Sequence, residues 1–304
     1  MTLSPAARSE QRLALGAGAG CYVIWGFVPL LFQHLGREGA GPWEILAQRT
    51  VWATPAAWAF VMLARQQSQV AAVLRQPKLL GLFALTAGLI SINWIVYVYA
   101  VNNGRVLETS LGYFITPLFN MAGGALVFRE RMDARAKLAM ALAVVGVALQ
   151  AAALGHLPVV SIVVALSFST YGLLRKRVAV DAQTGLFVEC LLLGLVGLAY
   201  VLSVERSGAG HFLDSGSVAA LFLFSGLITA LSLVMFAWSA RRMPLTAIGF
   251  LQFITPTITF FLGLAQGEPF TWLRGVSFAF IWAGAALFLL DALRRSRMAA
   301  QSAA

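Results

Sequence analysis

Ser110-Leu-Gly-Tyr-Phe-Ile-Thr-Pro117 and Ile248-Gly-Phe-Leu-Gln-Phe-Ile-Thr-Pro256 share a Phe-Ile-Thr-Pro core, 139 residues apart, each inside a long apolar run. Proline in such a run removes one backbone donor and clashes with the carbonyl four residues earlier. The same kink is therefore written twice into one chain. Weaker echoes lie at nearby offsets: Trp25-Gly26 with Tyr171-Gly172 at 146, Glu44 with Glu189 at 145, and Glu130 with Glu268 at 138. Matches that keep their order along the chain point to an internal repeat. The halves divide as residues 1–154 and 155–304.

Outward from these two segments the chain is apolar almost throughout, with 60% hydrophobic residues, 11% charged residues and a mean hydropathy of +0.81 over 304 residues. A soluble core cannot hide that much apolar surface. A span needs about 20 apolar residues to cross about 30 Å of hydrocarbon. Ten segments meet that requirement: 13–34, 44–64, 79–102, 106–128, 134–154, 157–174, 185–204, 217–240, 244–266 and 271–291. The links between them are too short for a soluble domain. The expected fold is all-α: a polytopic membrane protein of ten transmembrane helices. Five spans per half is an odd number, so the second half enters the membrane from the opposite side. The repeats are expected to be inverted.

Orientation follows from the 22 Lys and Arg residues, because cytoplasmic loops are enriched in them. Seventeen cluster on the side of Arg8, Arg12, Arg65, Arg75, Lys78, Arg129, Arg131, Arg135, Lys137, Arg175 to Arg177, Arg241, Arg242, Arg294, Arg295 and Arg297. Only four, Arg37, Arg105, Arg206 and Arg274, lie on the other side, and Arg49 is inside the second span. Both termini are expected to be cytoplasmic. Scattered clusters of this kind are topology signals rather than a nucleic-acid surface, despite the net charge of +10. The amino-terminal apolar run continues past any signal-like cleavage site and reads as an uncleaved first helix. Cys21 and Cys190 fall inside apolar segments and suggest no metal site.

Several stretches resemble the EamA-type permeases of the drug/metabolite transporter superfamily, and most closely their RarD-type, chloramphenicol-sensitivity subgroup. They are Tyr22 to Pro29, Glu44 to Trp52, Asn93 to Ala100 and Ser110 to Pro117 in the first half, then Tyr171 to Lys176, Gly249 to Pro256 and Gly267-Glu268. The resemblance covers most of the chain. It implies ten helices in two five-helix repeats, an inner-membrane location and the carriage, outward, of a small metabolite or drug. Thr116 and Phe253 depart from the subgroup, where Asn and Tyr are usual; the first change bears on a substrate contact.

Candidate site residues follow from the repeat and from the cost of polarity in lipid. Pro117 and Pro256 free the carbonyls of Tyr113 and Gln252, and such groups must find partners or line a cavity. Tyr113, Thr116 and Asn120 share one helix face, and the offset of 139 maps them onto Gln252, Thr255 and Thr259. Two polar stripes facing each other across a cavity is one expectation; helix packing by the same hydroxyls is the other. Arg49 is a charge within a span, which costs at least about 2.5 kcal/mol and is normally paired or functional. It suits a substrate carboxylate, and equally a structural ion pair or an arginine snorkelling to the interface. Glu44 and Glu189 are the candidates for proton coupling. Asn93, Trp94 and Tyr97 bring an amide and two aromatics to the same region, with Trp25 and Trp282 read as packing.

An enzyme is the rival class. His34, His156 and His211 fall at helix ends or in loops, and no metal, nucleophile or phosphate-binding motif is present. A channel remains an alternative, and no soluble module suggests signalling. The expected function is a secondary transporter working by alternating access on a small polar or amphipathic metabolite or drug. It needs no cofactor, its partners are that small molecule and the lipid bilayer, and its oligomeric state is open.

Overall fold

The computed structural model describes residues 5–102, 106–130, 132–153, 157–266 and 271–301. These residues form helices and connections, with no strand among them. The helices are α1 (Pro5–Arg37), α2 (Pro42–Leu63), α3 (Gln67–Leu74), α4 (Pro77–Asn102), α5 (Val106–Val127) and α6 (Ala134–Ala153). They continue as α7 (Val159–Arg177), α8 (Ala182–Arg206), α9 (Gly216–Arg242), α10 (Leu245–Gln252), α11 (Ile254–Ala265) and α12 (Trp272–Gln301). Arg105, Arg131, His156, Gly267 and Glu268 lie outside the described residues.

Seven helical stretches among the described residues are long and apolar enough to cross a membrane, starting with Ser9–Arg37 and ending with Leu245–Leu262. Two shorter apolar stretches, Leu111–Val127 and Gly275–Asp291, fall on the fourth and tenth expected spans. The second expected span, α2, belongs to neither group, because Glu44, Gln48 and Arg49 dilute its apolar character. The chain is a multi-pass membrane protein by this helix content.

Two features depart from a simple row of spans. The short helix α3 stands between α2 and α4. The ninth expected span is broken, turning at Phe253 between α10 and α11. Its identical Phe-Ile-Thr-Pro counterpart runs unbroken through Pro117 in α5. Neighbours explain the difference. In α5 the Thr116 hydroxyl donates back to the Gly112 carbonyl at 2.8 Å, and Ser169 of α7 donates to the Thr116 carbonyl at 3.3 Å. In the ninth span Phe253 N–H instead closes a tight turn onto Phe250 at 3.3 Å, and the Thr255 hydroxyl leaves its own helix for the Tyr22 carbonyl of α1 at 2.7 Å.

Helices of residues 1–154 pack chiefly on helices of residues 155–304: α2 on α8 and α9, α1 on α9 and α11, α4 on α7 and α8, α5 on α7 and α10, and α6 on α12. Small residues permit the close approaches. Gly194 and Gly197 of α8 meet Thr54 and Thr50, while Gly226 of α9 lies against the Trp52 backbone, so α2 is wedged between two helices. Gly249 of α10 lies against the Pro117 carbonyl in the same manner. An aromatic cluster of Tyr22, Trp25, Phe168, Tyr171 and Phe236 joins α1, α7 and α9 at the centre, with ring centroids 5.3 to 6.5 Å apart.

Polar ties mark the two ends of the bundle. At the amino-terminal end Arg242 pairs with Glu10 at 2.8 Å, Arg241 with Asp181 at 3.1 Å and Arg135 with Asp291 at 2.9 Å. Glu130 there accepts from the Leu245 and Thr246 N–H groups and from Lys176, capping the start of α10. Burial would raise the Glu130 carboxyl, but these donors outweigh it and hold it below the usual carboxylate range. At the opposite end, Gln33 meets Gln266 at 3.1 Å and Glu44 meets His211.

Candidate polar site within the bundle

The wedge of α2 carries Arg49 into the ring of helices. Its Nε donates to the Thr229 hydroxyl of α9 at 3.2 Å. Its guanidinium lies over the Trp94 ring of α4 at 4.2 Å from the centroid and near the Phe32 ring of α1 at 5.3 Å. Tyr97, Tyr113 and Cys190 are within electrostatic range of it. Among the described residues no carboxylate pairs with Arg49, which leaves a full charge held by aromatic faces and one hydroxyl. Arg49, Trp94, Tyr97 and Tyr113 each keep part of their surface accessible although all sit well inside their helices. These side chains, from α2, α4 and α5, form one polar and aromatic wall inside the bundle.

The rest of this wall comes from α1 and α9. Trp25 Nε1 donates to Ser232 at 2.8 Å, one turn beyond Thr229. Ser225, Thr229 and Ser232 form a stripe at i, i+4 and i+7 along an otherwise apolar helix. That spacing was the available sign of the α9 wall, and sequence reasoning passed over it, as it did Phe32.

Of the expected substrate residues, Arg49, Tyr97 and Tyr113 are brought together, the two tyrosine rings 5.9 Å apart. Asn93 is buried and donates to the Val164 carbonyl of α7 at 2.8 Å and to Ser167 at 3.3 Å. The two Phe-Ile-Thr-Pro stripes do meet, through Asn120 Nδ2 donating to Gln252 Oε1 at 2.8 Å. Thr116 and Thr255 are engaged as described above, and Thr259 donates to carbonyls of its own helix at 3.1 and 3.3 Å. Trp282 donates to Thr257 at 3.0 Å.

The two candidate proton carriers stand at opposite ends. Glu44, in the first turn of α2, accepts from the His211 N–H at 2.7 Å and meets His211 Nδ1 at 2.8 Å. Glu189, in α8, accepts from Thr86 at 2.5 Å and Tyr171 at 3.2 Å, with Arg175 Nε 3.8 Å away. Arg175 is 2% exposed and fits there because Gly185 has no side chain to occupy its place. Thr54 reaches the Cys190 carbonyl and Thr50 abuts Gly197, so Arg49 lies about 12 Å along α8 from Glu189. Glu189 therefore neutralises Arg175, not Arg49. No group of metal-ligating side chains occurs among the described residues.

Comparison with known proteins gives this geometry a context. The EamA-like transporter family matches residues 13–151. A RarD protein of Streptomyces exfoliatus is 40% identical, over 96% of this chain and 92% of its own length. A RarD protein of Salmonella typhi is 38% identical, over 96% of this chain and 99% of its own length. A crystal structure of another protein, 17% identical, superposes with a TM-score of 0.67 over 92% of this chain and 98% of that one, a likeness of fold alone. The family is one of transporters and not of enzymes. With full-length identity of this order, the chain belongs to the EamA-like transporter family as a RarD-type permease.

Proposed function

We propose that the chain is a secondary transporter of the bacterial inner membrane that carries a small polar or amphipathic metabolite outward by alternating access. The observation that carries this is Arg49: a guanidinium inside an apolar bundle, partly accessible, with no carboxylate partner among the described residues. A structural arginine buried in a bundle is normally neutralised, as Arg175 is by Glu189. One left open is a binding group.

The two-halves architecture is supported by the helix pairings. Exchanging the first five expected spans for the last five maps the set onto itself: α1 on α9 becomes α7 on α4, and α2 on α9 becomes α8 on α4. The pairs α2 on α8, α5 on α10 and α6 on α12 map onto themselves. Ten spans in two inverted repeats, 1–154 and 155–304, with both termini cytoplasmic, satisfy this pattern and the basic-residue asymmetry together. In this scheme Arg49, Trp94, Tyr97, Tyr113 and Thr229 touch the substrate, while Asn93, Thr116, Asn120, Gln252, Thr255 and Thr259 hold the helices around it.

The test is counterflow of a labelled metabolite panel in proteoliposomes, with and without a pH gradient. Saturable, substrate-specific exchange is expected; unsaturable flux would favour a channel. Proton coupling through Glu44 or Glu189 predicts that a pH gradient drives accumulation and that Glu44→Gln or Glu189→Gln removes the drive. Gradient-independent flux in wild type and both variants would end that part of the proposal.

A further inference from the structure

The arrangement of donors around Arg49 specifies the chemistry of its ligand more narrowly than the fold does. Nε is taken by Thr229, and the face of the guanidinium is taken by Trp94. Neither terminal amino group hydrogen-bonds to a described residue. Among the described residues nothing occupies the in-plane edge formed by the two terminal nitrogens. A planar guanidinium edge matches a planar two-oxygen acceptor through two parallel N–H···O bonds. We propose that Arg49 binds the carboxylate of the transported compound, and that the substrates are monocarboxylates with a flat apolar body. This assignment rests on the permease function proposed above.

Charge and shape both narrow the class. No second cation interacts with Arg49 among the described residues, so the site balances one negative charge. A phosphate monoester brings about 1.5 to 2 negative charges and would leave the excess uncompensated inside the bundle. Beyond the guanidinium the wall is aromatic: Trp94, Phe32, Tyr97, Tyr113 and Trp25, the last held in orientation by Ser232. Such rings favour stacking or edge contact with a flat body. The Tyr97 and Tyr113 hydroxyls, in electrostatic range of the guanidinium, supply donors for a carboxylate oxygen or a polar substituent.

The experiment is a tryptophan-fluorescence titration of the purified full-length protein in detergent with phenylacetate, phenylacetamide and phenyl phosphate at neutral pH. Of the eight tryptophans, Trp94 stacks on Arg49, and the part of the signal lost in Trp94→Phe is the one that reports occupancy. Phenylacetate is expected to bind saturably, at least about tenfold more tightly than either of the others, the worth of one charge-assisted contact. Arg49→Gln is expected to erase the preference for the acid. Arg49→Lys keeps the charge but loses the planar edge, and is expected to weaken phenylacetate by about tenfold; it carries the test should the glutamine variant fail to fold. Equal binding of acid and amide in wild type, tighter binding of the phosphate, no saturable acid binding, or a retained acid preference in Arg49→Gln would each overturn the assignment. Flux in proteoliposomes is a separate readout. Acid binding without flux of any compound would sink the permease proposal alone, and flux confined to neutral compounds would sink the carboxylate assignment alone.

Discussion

Glu44 and Glu189 lie 145 residues apart, at matching places in the proposed repeat, yet the two ends of the bundle hold them in different company. Glu44 is tied to a histidine in the α8–α9 connection, whose side chain is 27% exposed. Glu189 is enclosed with an arginine that is almost wholly buried, a tyrosine and a threonine. A repeat copies the register of a helix and the carboxylate on it, but the partner comes from other elements and is free to diverge. One end acquires a tie to a partly exposed histidine; the other acquires one to a buried arginine.

Removing the buried cation is expected to have the largest effect. Arg175→Met leaves Glu189 unpaired in the interior, a loss of about 3 to 5 kcal/mol. We expect little folded protein by size-exclusion chromatography and a strongly lowered unfolding temperature. Adding Glu189→Gln to that variant removes the stranded charge and should restore most of the loss. A single variant as stable as wild type would mean that the pair contributes nothing.

The opposite end should respond to pH instead. Its hydrogen bond to Glu44 raises His211 above the ordinary histidine range, against a smaller opposing effect of burial, and Glu44, Asp214 and Glu205 add to the rise through their charges. A raised folded-state pKa means that the stabilisation is complete below the ordinary value of about 6.5. It fades as pH climbs through the raised value. Hydrogen exchange in residues 207–215 should therefore accelerate with pH beyond the intrinsic rate, and His211→Gln should flatten that excess. An excess that persists undiminished in His211→Gln would remove this tie as its cause.

A smaller contrast separates the two Phe-Ile-Thr-Pro helices. Thr255→Val deletes a hydrogen bond between helices, worth about 0.6 kcal/mol and at most about 1.7 kcal/mol in membrane proteins. Thr116→Val deletes one within its own helix and should cost less. Thermal unfolding of the two variants ranks them, and substrate affinity should be little changed in either. A loss of affinity exceeding the loss of stability would return these threonines to the substrate-binding surface.

How far the fold could be read ahead of the structure depends on where each signal resides. Apolar runs and their spacing are local, and they anticipated most of the long helices to within a few residues, although α1 begins eight residues before its expected span and α12 ends ten residues after its own. The break at Phe253 could not be read this way, since identical tetrapeptides give identical local signals. Tyr22 and Ser169, reached from distant helices, decide which of the two kinks opens. Arg49 was legible because a charge within a span is conspicuous in any setting. Arg175 was hidden in the Arg175-Lys176-Arg177 cluster, where a count of basic residues treats all three alike and only packing separates the buried one. Likewise the glutamates were visible as a pair, while His211, Thr86 and Tyr171, their partners, come from elsewhere in the fold.

The most direct measurement of the central claim is counterflow by Arg49→Ala in proteoliposomes beside wild type, at matched reconstitution. Saturable exchange is expected in wild type and none in the variant, with thermal unfolding close to wild type because Arg49 forms no ion pair with a described residue. Normal exchange in Arg49→Ala would contradict it and leave the arginine a structural element of the bundle.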